Sequence, residues 1–232
     1  MKPNSSIYLI SNSPQFNKDA VPIFESFSSE NSSLLYSTLI LNHNELFSTL
    51  SDTLRLVYCF DELDKDFLPS NLKNSRRDLI FFNTETRQNI IKILSDKFFV
   101  KSNKNLIVFS NSIGMNNADI QRAFNLLSID DEAVVIGRTN NSKAAFIGFN
   151  TFNRDLFFNI DWNNCNYDYL LTNINRHENF VHVLGNYMYI NNIEDFKNLY
   201  KELSKKESLT YCSPKMHEEF TNLFIEYKEL LK

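Results

Sequence analysis

The chain has 232 residues, a formal charge of −4 at pH 7 and a hydrophobic fraction of 43%, with 21 Phe and 10 Tyr. That length and apolar content build a core and exclude a disordered chain, and the negative balance gives no electrostatic basis for nucleic acid as a partner. No apolar run reaches membrane-spanning length, and Cys59, Cys165 and Cys212 are too scattered for a disulfide framework or a tight zinc motif, so reduced thiols in a cytoplasmic protein are expected.

With 4 Gly and 5 Pro, turns must come largely from Asn, Ser and Asp, and Asn outnumbers Lys and Arg together. The apolar run 7–10 predicts a first strand that ends at Ser11-Asn12-Ser13-Pro14. Leu35, Leu39, Leu46 and Leu50 give helical spacing over 34–50, and 54–60 reads as the next strand. Its polar exit, Asp61-Glu62-Leu63-Asp64, reads as a solvated acidic loop in preference to a cation site. A short strand is expected at 78–82, and a helix over 84–99 whose stripe is Ile90, Ile91, Leu94 and Phe98.

Residues 106–109 form a compact strand candidate, followed by Ser110-Asn111-Ser112-Ile113-Gly114 and a helix over 117–127 that Asn117 is placed to cap. Two neighbouring strands are expected at 133–137 and 144–149, separated by Arg138-Thr139-Asn140-Asn141-Ser142-Lys143. Helices at 154–160 and 167–175 precede strand-like segments at 180–184 and 186–190, and a helix at 193–203 follows. Residues 205–213 suggest a hinge before a last helix opened by Pro214, which docks Phe220, Leu223, Phe224 and Leu230 on the body. No internal repeat or linker divides the chain, so 1–232 reads as one domain with 214–232 as its docking helix. The alternation of strands and helices predicts an α/β fold, a three-layer sandwich around a mostly parallel sheet.

From Thr84 to Leu203 the order of segments resembles an uncharacterised bacterial glycosyltransferase-like family. This family lies within the superfamily of MobA-like nucleotidyltransferases and glycosyltransferase-A domains. The resemblance is carried by Asn105-Leu106-Ile107-Val108-Phe109-Ser110-Asn111-Ser112-Ile113-Gly114-Met115, where relatives have a strand and a Ser-Asp-Cys-Pro-like turn. It continues through 133–148, where Arg138 stands for a proline and Asn141-Ser142-Lys143-Ala144 for Asp-Gly-Gly-Tyr. Trp162-Asn163-Asn164 takes the place of a Trp-Ser/Gly-Thr turn, and Ile190-Asn191-Asn192-Ile193-Glu194-Asp195-Phe196 that of Asp-Val-Asp-Thr with an acidic helix start. Pro14 fits a Lys-Ala-Pro-like turn, but Lys18-Asp19-Ala20-Val21-Pro22 replaces the basic segment expected after it.

The resemblance implies binding of a nucleotide or nucleotide-sugar, with Mg²⁺ or Mn²⁺ bridging its phosphates if transfer is retained. Three family aspartates fall on Asn111, Asn141 and Asn191, and an Asn keeps the size of Asp while bringing no charge to a hard cation. Asp195 survives as the candidate metal carboxylate. Asn111, Asn141 and Asn191 are candidate ligand contacts, against the alternatives of turn formation and helix capping. Arg138 and Lys143 are candidates for phosphate, against solvated loop charges. Trp162 would stack on a sugar or base, against a place in the core. His182, in a strand, is a base only if it faces the cleft. Two readings stay open: a transferase-like protein that binds its donor, and a catalytically inactive binding or structural protein, with self-association compatible with either.

Overall fold

The computed structural model describes residues 4–50, 53–73, 77–84, 90–158, 160, 162, 165–177 and 179–231. Strands β1 (Ser5–Ile10), β2 (Arg55–Asp61), β3 (Arg77–Phe82), β4 (Lys104–Phe109), β5 (Ser112–Ile113), β6 (Ala133–Thr139), β7 (Ala144–Phe149) and β8 (Phe180–Tyr189) form one sheet in the order β3-β2-β1-β4-β7-β6-β8-β5. The expected mostly parallel sheet is corrected to a mixed one. β3, β2, β1 and β4 pair in parallel, as do β6 and β8, but β7 lies antiparallel between β4 and β6, and β5 antiparallel beside β8. The cause is local: a loop as short as 140–143 joins only antiparallel neighbours, whereas a parallel crossover needs a dozen or more residues.

Helices cover both faces of the sheet, which is why its central strands are apolar without a break. On one face Tyr8, Ile10, Ile107 and Phe109 pack with Ile91 and Leu94 of α2 (Ile90–Lys97) and, farther along, with Leu156 of α4 (Arg154–Phe158) and Leu170 of α5 (Tyr167–Asn175). On the other, Ile7, Leu9, Leu106 and Val108 pack with Ile40 and Phe47 of α1 (Ser29–Ser48) and Ile120 and Ala123 of α3 (Asn117–Leu126). The split follows from the two-residue period of a strand, and burying each such side chain contributes about 1.5–3 kcal/mol. Of the helix expected over 84–99, residues 85–89 lie outside the described residues; α2 carries Ile90, Ile91 and Leu94 of the stripe, and Phe98 follows its end.

A third cluster joins the far face of α1 to α6 (Ile193–Leu203) and α7 (Pro214–Glu226) through Leu35, Leu39, Phe196, Leu199, Phe220 and Leu223. Ser213 caps α7 by accepting from the Met216 N–H, with Pro214 in the first turn. The expected hinge is a 3-10 turn, Lys206–Thr210, in which Ser208 is buried.

Two helix caps lie one residue from their expected places. Asn116, not Asn117, caps α3 in a reciprocal box with Asp119, and Asn192, not Asn191, caps α6 by accepting from the Asp195 N–H. The segments 180–184 and 186–190 belong, as far as Tyr189, to one strand, β8, interrupted by a bulge: Arg138 pairs with Gly185 and Thr139 with Tyr187, leaving Asn186 as the extra residue at φ 77°. Next to the bulge, Gly137 lies under the Phe146 ring so closely that a Cβ there would fall 2.4 Å from it.

Candidate functional site

Because β1, β4, β6 and β8 point the same way, the loops that leave them gather along one edge of the sheet, where open α/β folds bind ligands. Cross-links between these loops fix the edge: Ile190 N–H donates to the Asn111 carbonyl at 2.9 Å, and the Asn12 carboxamide to the Tyr189 hydroxyl at 3.3 Å. β5 provides the seam, with Ser112 opposite Tyr189 and Ile113 opposite Met188. Behind it, His43 of α1 is fully buried and bonds the Ser112 carbonyl at 2.7 Å through Nε2, so its Nδ1 is left without a partner. Burial holds the His43 imidazole down, at about 4.

At the β1–β4 end, polar groups satisfy one another. Asp64, expected in a solvated loop, is 0% exposed, and Asp61 is buried too; only Glu62 of that acidic trio faces solvent. The Asp64 carboxylate accepts from three successive backbone N–H groups, those of Gln15, Phe16 and Asn17, at 2.8–3.0 Å. Asp61 accepts from the N–H groups of Leu63 and Thr84, which ties the β2 exit to the β3 exit. Gln15, thus held, donates through Nε2 to Asn111 Oδ1 at 2.9 Å and to Ser110 Oγ at 3.1 Å. Asn111 Oδ1 also accepts from Ser110 Oγ at 3.2 Å. The side chain of Asn111 is therefore a cross-link between the first and fourth strand exits. Gln15 carries no local sequence signal, and the 61–64 run reads as a solvated loop, because the groups that Gln15 and Asp64 bind lie 47–96 residues away.

At the β6–β8 end the arrangement is open. The hairpin closes on Thr139, whose N–H donates to the Lys143 carbonyl at 3.0 Å, with Ser142 at φ 57°. Asn141 Oδ1 accepts from Thr139 Oγ1 at 2.8 Å and its Nδ2 donates to the Tyr189 carbonyl at 2.8 Å, so the hairpin tip is pinned over β8. Asp195 Oδ2 accepts from the Asn191 N–H at 3.1 Å, and the Asn141 carboxamide hydrogen-bonds the same carboxylate. Burial pushes the Asp195 carboxyl up, partly offset by these bonds and that of the Asn192 N–H. Asn141 and Asp195 share a cavity of about 250 Å³ with Asn140, Asn198, Glu194, Met188 and Tyr189, none of them cationic. A larger cavity, about 550 Å³, lies between α6 and α7, and no predicted site residue lines it.

The remaining expected contacts are dispersed. Arg138 is exposed and its guanidinium lies over the Tyr167 ring at 5.0 Å, at the start of α5. Lys143 is bridged through its backbone to Asn166 beside it. Trp162 is 7% exposed, stacks on Phe157, approaches Phe109 and donates its indole N–H to the Phe157 carbonyl at 2.8 Å, so it belongs to the core and not to a stacking surface. Its neighbours Asp161, Asn163 and Asn164 lie outside the described residues. His182 pairs with Asp130 at 3.0 Å, toward the start of β8 and away from the strand exits. The three cysteines are buried and none is in a disulfide.

No protein-family model matches the chain, and no curated protein matches it either. Among solved structures, a candidate nucleotide-diphospho-sugar transferase from Desulfovibrio desulfuricans G20 superposes with a TM-score of 0.71 at 19% identity, over 100% of this chain and 97% of that one. The chain has a nucleotide-diphospho-sugar transferase fold. More distant likenesses are Rv0371C of Mycobacterium tuberculosis H37Rv, solved with manganese (TM-score 0.53, 6% identity, 87% of this chain and 100% of that one), and the 4-diphosphocytidyl-2C-methyl-D-erythritol synthase of Anaerococcus prevotii DSM 20548 (0.50, 10%, 94% and 95%). At such identities the likeness is one of fold, and function rests on the site.

A divalent cation on that fold asks for hard, anionic oxygens. The donor set here does not match one held by carboxylates. Asn111 and Asn141 are neutral and their Oδ1 atoms already accept hydrogen bonds, while the Asn191 N–H occupies Oδ2 of Asp195. Among the described residues no group of three or more His, Cys, Asp or Glu is placed to hold a metal ion, and no helix is long and apolar enough to cross a membrane.

Proposed function

We propose that this protein binds a nucleotide or nucleotide-sugar at the β6–β8 end of the strand edge, as a binding protein on a transferase frame that does not rely on a carboxylate-held cation. The observation that carries the reading is the cavity built around the paired Asn141 and Asp195. At about 250 Å³ it is smaller than the roughly 300–1,000 Å³ of sites that enclose a drug-sized ligand, so it takes one ring of the ligand. Three carboxamides and two carboxylates offer donors and acceptors to hydroxyl groups, and with no cation among them the diphosphate stays outside. Asn111, Asn191, Lys143 and Arg138 then belong to the frame or the rim of that site.

A second reading, transfer without a metal, rests on Asp195: a carboxyl raised by burial at a cavity wall is a candidate base. Calorimetry with UDP-, GDP- and CDP-linked sugars and free nucleoside triphosphates, with and without Mn²⁺, tests both. Saturable binding that Mn²⁺ leaves unchanged is the expected result, and Asn141→Ala abolishes it. Binding strengthened by Mn²⁺ overturns the metal-free site, and no binding across the panel overturns ligand capture at this cavity. Release of free nucleoside diphosphate in the presence of a bound donor identifies the second reading.

A further inference from the structure

The β1 exit loop carries a receptor for an oxyanion that is filled from within. Three successive backbone N–H groups, of residues 15, 16 and 17, converge on one carboxylate, a concave arrangement that binds anions wherever it occurs. The occupant comes from a different loop, after β2, and is wholly shielded from solvent. Nothing cationic contributes: the Asp64 carboxylate is held by backbone donors alone, with Asp61 near enough to oppose its charge. Burial and that neighbouring acid raise the Asp64 carboxyl, and the three N–H groups work against the rise. The same loop holds the Gln15 side chain, whose Oε1 is buried without a partner while its Nε2 reaches Ser110 and Asn111.

We propose that the backbone of residues 15–17 is an oxyanion-binding site and that the Asp64 side chain is its resident ligand, so that an external carboxylate or phosphate enters only when this side chain is withdrawn. This does not depend on the function proposed above. Its consequence for any ligand at the strand edge is direct. The loop that follows the first strand offers no free N–H at these three positions, and a bound phosphate must find its donors elsewhere. Gln15 and through it Asn111 are positioned by this internal contact.

Replacing Asp64 by alanine removes the carboxylate and leaves a void of formate size lined by three donors. In Asp64→Ala, formate is expected to raise the thermal midpoint saturably, by roughly 5–10 °C at a hundred times its dissociation constant. Acetate and inorganic phosphate act more weakly because they are larger. The wild type and Asp64→Asn, in which a side chain still fills the space, show no such rise. The proposal is overturned if chloride at equal ionic strength stabilises Asp64→Ala as much as formate does, or if formate raises the wild type equally. If Asp64→Ala does not fold in plain buffer, refolding yield in formate against chloride decides: a higher yield in formate supports the site, and equal yields overturn it.

Discussion

The two ends of the strand edge are built from the same residue types to opposite effect. Around β1 and β4, Asp64, Gln15, Ser110 and Asn111 use their hydrogen-bonding capacity on one another and leave the edge closed. Around β6 and β8, Asn141 and Asp195 are linked in a similar way but stand at the wall of a cavity. An Asn at a strand exit is thus a strut at one end and a lining group at the other. Chemical identity does not decide its role; the groups already aimed at it do.

This contrast can be broken from the closed end first. Asp64→Ala strands three N–H groups, one buried and two partly buried, and is expected to cost about 4 kcal/mol in urea unfolding, since each unsatisfied donor costs about 1–3 kcal/mol. A loss under 1 kcal/mol would mean that the loop finds water as a substitute and the closed end is not closed. The seam between the ends gives the next largest effect. His43 is held neutral at about 4, below its unfolded value of 6.5, so its contribution is complete above pH 6.5 and is lost as pH falls toward 4. The difference amounts to about 3 kcal/mol, because the folded state binds fewer protons than the unfolded state across that window. His43→Gln, which keeps a donor for the Ser112 carbonyl, should flatten the stability-pH curve between pH 7 and 4; an unchanged slope would assign the effect to other groups.

The smallest effects sharpen the comparison most. Asn141→Asp loses the donor to the Tyr189 carbonyl and sets two carboxylates together, and is expected to cost about 2 kcal/mol at pH 7, part of it recovered by millimolar Mn²⁺. Asn111→Asp keeps the acceptor for Gln15 and Ser110 and should stay within about 1 kcal/mol of wild type with no response to Mn²⁺. Equal losses at the two positions, or a Mn²⁺ response at Asn111→Asp, would erase the distinction between the ends.

Much of the fold was legible because it is written locally. The apolar runs at 7–10, 106–109 and 144–149 and the Pro214 start lie within two residues of the observed elements β1, β4, β7 and α7. The caps were misplaced where Asn is doubled, because in Asn116-Asn117 and Asn191-Asn192 either residue suits the role: at α3 the reciprocal partner Asp119 fixes Asn116, while at α6 Asp195 donates its N–H to Asn192 and accepts that of Asn191. β5, two residues long, has no period to read, and β8 looked like two segments because Asn186 breaks its alternation. The closed end was hidden for a different reason. An Asp-Glu-Leu-Asp run is polar in composition, yet Asp64 is buried by a loop some 48 residues earlier in the chain, and no local pattern encodes that. Trp162 shows the converse, since a lone indole suits a core as well as a ligand and only its neighbours settle which.

The pairing of Gly137 with Phe146 couples the two positions in how this chain can diverge. A side chain at 137 would collide with the ring as it stands, so the ring would have to shift. Removing the fully buried ring alone leaves a cavity, a change that costs about 3–5 kcal/mol for Phe→Ala. Homologues that carry a side chain at 137 are therefore expected to carry a smaller residue at 146, the one filling the space that the other vacates.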